Sequence, residues 1–261
     1  MKIGVSTACL YPLLTEKALE EVGKSGIRET EVFFNSEGEL KKDFVKELAK
    51  IKDYYGLNVL SIHPTMSLAE SFMFFSAYDR RKDEGLESFK RYGEITAELG
   101  AKYVILHGGK PNGILSDEQY FERFCEIGRA TAENGGVLLQ ENVVKFRAGD
   151  MDFLKKMNGY LGNDARFCLD VKQCIRGGYS PFDAVDMLKN SIKHIHISDN
   201  DSQKDCKIPY KGDFSLVDFL KRAEKSGFSG DTVVEVYRDA YGEYDELFTS
   251  VKKLREIYKN G

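Results

Sequence analysis

The chain has 261 residues, 42% hydrophobic and 31% charged, which is enough to bury a sizeable core. Lys and Arg total 38 against 42 Asp and Glu, a net charge of −4, so the basic footprint of a duplex-DNA binder is missing from the totals. No run approaches the ~18 apolar residues of a membrane helix, and the opening MKIGVSTACLYPLLTEK lacks the apolar stretch of a signal peptide, which argues against a membrane protein, a secreted disulfide scaffold or a disordered chain. Along the chain a short β-rich run, a polar loop and an amphipathic helix recur eight times. Strands are predicted at residues 2–7, 30–34, 58–63, 102–107, 136–141, 166–170, 192–198 and 231–237. Several are continuous apolar runs, such as Tyr103-Val104-Ile105-Leu106, which fit parallel strands buried on both faces.

Between them, residues 43–55 place Phe44, Leu48, Ile51 and Tyr55 at helical spacing. The stretch 64–79 is the longest irregular one and fits a lid loop. Ser116-Asp117-Glu118-Gln119 reads as a capping box opening a helix through residue 134. Ser180-Pro181 is an N-cap followed by proline at the first helical position. Gly26, Gly56, Gly100, Gly135 and Gly227 stand where helices should end. Strand–helix alternation with right-handed crossovers implies a parallel sheet. Eight units in this length imply a single α/β domain over 1–261, a (β/α)8 TIM barrel. A doubly wound sheet would usually carry a glycine-rich first turn, and Thr7-Ala8-Cys9-Leu10-Tyr11-Pro12 has no glycine. Cys9, Cys125, Cys168, Cys174 and Cys206, an odd and widely spaced set without C-x-x-C, read as free thiols in a reducing cytoplasm.

A barrel gathers its chemistry at the C-terminal ends of its strands. His63 closes the third strand, His107 the fourth, Glu141 the fifth, Asp170 the sixth, His196 stands in the seventh and Glu235 in the eighth. Each alone has an ordinary explanation as a satisfied polar group. Together, carboxylates converging on one mouth repel one another, and a bound cation removes that cost. Glu141, Asp170, His196 and Glu235 form an oxygen-rich set suited to one Mn²⁺, Mg²⁺ or Co²⁺ ion, with Zn²⁺ also accommodated. A closed structural zinc site would use Cys and His instead.

The strings MKIGVST, SIHP, ILHGG, LLQENV, CLDVKQ, HIHISDND and VVEVY, in that order and spacing, resemble the xylose isomerase-like TIM barrel superfamily over essentially the whole chain. That group includes ketose 3-epimerases, hydroxypyruvate isomerase, inosose isomerases and dehydratases, and endonuclease IV. The resemblance implies that Glu141, Asp170, His196 and Glu235 bind the metal and that Glu141 and Glu235 are also the catalytic acid/base pair. The implied activity is isomerisation or epimerisation of a sugar, sugar phosphate or inosose, by proton transfer next to a carbonyl through an enediolate. Ketose epimerases place a substrate-holding His three residues after the strand-6 Asp and an Arg six after the strand-7 His. Here these positions are Gln173 and Ser202. His63, His107, Lys172, Gln173 and Lys211, with Arg176, are candidate substrate contacts, and solvated loop charge is the ordinary alternative for the basic ones. Tyr11, Phe33, Phe34, Phe72, Phe74, Phe75 and Tyr237 fall in loops around the mouth, as sugar-facing rings or as ordinary packing and contact between identical subunits. The expected partner is a small carbohydrate, with neither nucleic acid nor membrane. The competing readings are an endonuclease IV-like phosphodiesterase and a non-catalytic carbohydrate-binding barrel. The first lacks a His at Gln173 and in 208–214 for a third metal.

Overall fold

In the computed structural model, which describes residues 1–64 and 67–260, the eight strands close into one parallel barrel in sequence order. They are β1 (Ile3–Ser6), β2 (Glu29–Phe33), β3 (Asn58–His63), β4 (Tyr103–Leu106), β5 (Val137–Glu141), β6 (Phe167–Asp170), β7 (Ile192–Ile197) and β8 (Asp231–Val234). Closure is made by β1 on β8, with Ile3 opposite Thr232 and Val5 opposite Val234. Several strands are shorter than their sequence patterns. Pairing stops where the connections splay outward, so His107 and Glu235 stand just past β4 and β8. Glu235 is still tied down by its own N–H, which donates to the Ile197 carbonyl at 3.1 Å.

Ten helices surround the barrel among the described residues: α1 (Thr15–Ser25), α2 (Lys42–Tyr55), α3 (Ser67–Met73), α4 (Asp79–Leu99), α5 (Asp117–Ala132), α6 (Met151–Leu161), α7 (Val171–Arg176), α8 (Pro181–Leu188), α9 (Leu216–Lys225) and α10 (Tyr244–Asn260). The Ser116 capping box is complete, and Ser180 caps α8 with Pro181 at its start. Gly56 and Gly100 end α2 and α4 in left-handed conformations, φ 61° and 66°, which an L side chain disfavours. None of these helices is long and apolar enough to cross a membrane.

The apolar residues divide into two bodies. The larger packs the outer faces of the strands against the helices and includes Leu19, Leu48, Phe89, Phe121 and Phe219. The smaller, Tyr103, Ile105, Leu139 and Cys168, plugs the barrel interior. This division follows from side-chain alternation in strands buried on both faces.

The lid expected over 64–79 lies partly outside the described residues at 65 and 66. The remainder corrects it, because it contains α3 rather than an irregular loop. Two aromatic residues flank the reason: Phe74 is buried against Phe89, and Phe75 stacks on Tyr120 at 4.2 Å. Phe34 is likewise buried in the core rather than at the mouth. Packing, rather than solvent, therefore claims three of the aromatic residues expected around the site.

Candidate active site

Residues two apart on a strand share a face, so the apolar plug predicts what lies above it. Above Tyr103 and Ile105 comes His107, above Val137 and Leu139 comes Glu141, and above Cys168 comes Asp170. His196 follows His194 on β7, and His63 follows Ser61 on β3. Glu141, Asp170, His196 and Glu235 bring one donor atom each within 4.8 Å of one another. The imidazole Nδ1 of His196 lies 3.2 Å from Glu141 Oε1 and 3.4 Å from Glu235 Oε2. His107 Nε2 reaches Glu141 Oε2 at 3.0 Å and His63 Nε2 reaches it at 3.5 Å. The sequence-derived quartet and the two other mouth histidines thus share one cluster.

Asp170 is oriented from outside the cluster. Asp170 Oδ1 accepts the Gln173 N–H at 2.9 Å and so caps α7. Asn142 clamps the Asp170 backbone from both sides, accepting its N–H at 2.7 Å and donating to its carbonyl at 3.0 Å. The second oxygen, Oδ2, is buried and has no hydrogen bond; Lys172 Nζ is 2.8 Å away but off a hydrogen-bonding direction. Glu141 Oε2 is also buried and lacks a directed hydrogen bond. Two buried acceptor atoms without directed hydrogen bonds, in a set of three carboxylates and an imidazole whose donor atoms lie within 4.8 Å of one another, fit a divalent cation.

The charges are strongly coupled. Burial opposes ionisation of Glu141, but the imidazoles of His107, His196 and His63 beside it hold its pKa well below the usual carboxylate range. Burial likewise opposes Glu235, and Lys172 and His196 hold it low. For Asp170 burial prevails over Lys172 and lifts the pKa to about 6. Burial works against the His63 imidazolium, yet the Glu141 carboxylate beside it and the other nearby carboxylates raise it to about 9.

One layer deeper is a residue that the strand-end reasoning missed. Glu31 on β2 is fully buried and accepts from Ser61 Oγ at 2.7 Å and Ser6 Oγ at 3.0 Å. His196 Nε2 lies 3.0 Å from its Oε2. Despite burial, His196 holds the Glu31 pKa down to about 2. His194, buried beside it, is pushed by burial down to about 4. The available signal was a glutamate inside the apolar run Thr30-Glu31-Val32-Phe33, two residues before the strand closes.

Above the cluster opens a cavity of about 820 Å³. Tyr11, Phe33, Phe146 and Tyr237 contribute aromatic walls, and His63, His107, Lys172 and Gln173 also line it. Gln173 Oε1 accepts the Val144 N–H at 3.1 Å, so part of its amide is committed to the loop after β5. Lys211 is exposed and is not among the lining residues. Arg176 reaches the rim, pairing with Asp205 and donating to Tyr237 Oη at 2.7 Å. The Cys174 thiol is buried and accepts from Asn142 Nδ2 at 3.2 Å; burial and the nearby Asp170 raise its pKa, which disfavours the reactive thiolate.

The His107 loop is fixed by a second buried network. Glu70 Oε2 on α3 accepts the Gly108 N–H at 2.6 Å, and Gln140 Nε2 donates to the His107 carbonyl at 3.0 Å. Tyr120 Oη donates to Gln140 Oε1 at 2.8 Å. Gly108 sits at φ 96°, and a Cβ there would lie 1.9 Å from Tyr120 Oη. Gly108→Ala should therefore cost about 1–3 kcal/mol from backbone strain alone, measured as a lower urea midpoint at unchanged slope. An unchanged midpoint would show that the loop repacks freely.

Several known proteins share the architecture. A D-tagatose 3-epimerase-like protein superposes with TM-score 0.80 at 21% identity, covering 100% of this chain and 99% of its own. The IolI protein, solved with a bound zinc atom, gives 0.77 at 18% identity, covering 100% and 99%. An uncharacterized protein of Mycobacterium tuberculosis is 22% identical over 261 residues, 90% of this chain and 89% of that one. The family model described as the xylose isomerase-like TIM barrel matches residues 19–257, and the chain belongs to that family.

Proposed function

We propose that this protein is a divalent-metal-dependent isomerase or epimerase acting on a sugar, sugar phosphate or inosose. The observation that carries the reading is the quartet Glu141, Asp170, His196 and Glu235, with donor atoms within 4.8 Å at the floor of an aromatic-walled cavity. The zinc in the IolI structure and the epimerase-like neighbour support it. Mn²⁺, Mg²⁺ and Co²⁺ suit three carboxylates best, and Zn²⁺ is compatible. The free thiols suit a cytoplasmic enzyme.

When bound, the cation would supply positive charge facing the substrate oxygens on which negative charge develops. The chain's own groups do the rest. His196 directs Nε2 to Glu31, which leaves Nδ1 as the ligand atom toward Glu141 and Glu235. Glu141 and Glu235 arrive from β5 and from the end of β8, three strands apart. A substrate held between them offers its two faces to the two carboxylates. One takes the proton from carbon beside the carbonyl, and the other, once protonated from solvent, returns a proton from the opposite side, while the first gives its proton up to solvent. The aromatic walls flank the ring and exclude water. His63, His107, Lys172 and Gln173 are the proposed contacts for its hydroxyls.

Metal analysis of Asp170→Ala and His196→Ala should show loss of most of the ion relative to wild type. Full retention in both variants would remove the quartet as the site. In D₂O, an accepted ketose should acquire deuterium at the carbon beside its carbonyl.

His63, His107 and Glu141 form a second group with donor atoms within 4.8 Å, and that geometry favours a two-ion phosphodiesterase as the competing reading. Gln173 supplies no imidazole for a third ion. Robust cleavage of abasic duplex DNA by pure protein supplied with Zn²⁺ would place that reading first.

A further inference from the structure

Lys172 is the second residue of α7, and its side chain is only 3% exposed. Its Nζ lies 2.8 Å from Asp170 Oδ2 and 2.9 Å from Glu235 Oε2. Those are two of the four carboxylate and imidazole groups proposed to hold a divalent ion. No other Lys or Arg approaches the quartet within ion-pairing distance among the described residues. A buried lysine of this kind persists only where it is paired, and here it is paired with the very oxygens that a metal would need. A divalent ion takes carboxylate oxygens at roughly 2.0–2.6 Å. An ion on Asp170 Oδ2 and Glu235 Oε2 would therefore stand against the ammonium at a buried point, where their repulsion is weakly screened. The ammonium has somewhere to go. Lys172 already lines the cavity, and Nζ stands 5.3 Å from the centre of the Tyr237 ring at the cavity wall.

We propose that Lys172 is an internal cation of this site: its ammonium neutralises Asp170 and Glu235 before metal arrives, and a divalent ion binds only by displacing it toward the cavity. Lys172 is then the residue that sets metal affinity, and the displaced ammonium stands among the groups that face substrate. The inference rests on the metal reading above and adds to it a competitor built into the chain. It also separates Lys172 from Lys211 and the other basic residues of the loops, which remain solvated when metal binds.

The test is calorimetric titration of Mn²⁺ into metal-free wild type, Lys172→Met, Lys172→Gln and Lys172→Arg, with melting temperatures taken in EDTA and in excess Mn²⁺. A charge this close shifts a carboxylate's proton equilibrium by roughly 10- to 1,000-fold, and a divalent ion on the same oxygens meets the same electrostatic opposition. The Met and Gln variants should accordingly bind Mn²⁺ at least about tenfold more tightly than wild type. Both should melt lower than wild type in EDTA, where two carboxylates lose their counter-charge, and gain more from Mn²⁺. Arg, which keeps the charge, should bind no more tightly than wild type. Binding by the Met and Gln variants with none by wild type would show that the ammonium excludes the ion instead of yielding to it, and would overturn both the displacement and the metal-dependent reading of the natural chain. Equal or weaker binding by the Met and Gln variants, with wild type binding, overturns the role of Lys172 and leaves the quartet intact. Absence of binding in all four proteins overturns both.

Discussion

Glu141→Gln and Glu235→Gln should each lower turnover of an accepted sugar by about 10²-fold or more, the scale of general acid–base catalysis. Gln keeps a neutral oxygen at the ligand position but removes a proton-transfer group. Metal content must be measured on the same samples, because a variant that loses the ion reports on binding and not on proton transfer. The two variants should also differ from each other. Glu141 touches three imidazoles, His63, His107 and His196, so its replacement disturbs the histidine cluster as well. Glu235 touches Lys172 and His196 and stands past the end of β8, so Glu235→Gln is the cleaner substitution. A variant that retains metal should still exchange deuterium from D₂O on one side of the substrate, because the other carboxylate remains. Near wild-type turnover by both metal-loaded variants would rule out the two-carboxylate mechanism.

Glu31→Ala should be the most damaging single change to the barrel interior. It removes the partner of Ser6, Ser61 and His196 at once in a fully buried position. Breaking a buried pair by deleting one partner costs about 3–5 kcal/mol, to be read from urea unfolding. The same change frees the Nε2 side of His196. Loss of a partner of this kind lowers metal affinity by roughly 10- to 100-fold. Glu31→Gln should retain more stability, since it keeps the volume and still accepts from one serine while its amide donates to the other hydroxyl, but it loses the charge that orients the imidazole. If Glu31→Ala unfolds at the wild-type midpoint and binds Mn²⁺ unchanged, Glu31 neither supports the barrel nor positions His196.

The barrel itself was written in local chemistry. Continuous apolar runs, a capping box at Ser116 and left-handed glycines after α2 and α4 each act over a few residues, so a linear reading finds them. The ligand quartet was legible for a related reason. The barrel places strand C-termini at one mouth, and ionisable residues at the ends of apolar runs have few other reasons to be there.

The remaining features depend on contacts between residues far apart in sequence. Glu31 is one layer below the mouth, and its role exists only because the closed barrel brings Ser6, Ser61 and His196 to it from strands 1, 3 and 7. The segment 67–73 read as loop because its helix is short and takes its stability from Glu70 meeting Gly108 and from Phe74 meeting Phe89. Lys172 and Lys211 were equivalent as loop charges in the linear sequence. The sequence determined an eight-fold α/β barrel with its carboxylates and histidines at one mouth, because those signals are periodic and local. Only the tertiary structure decided which lysine is buried against the quartet, because burial of a charge depends on whether a partner carboxylate lies within reach in space.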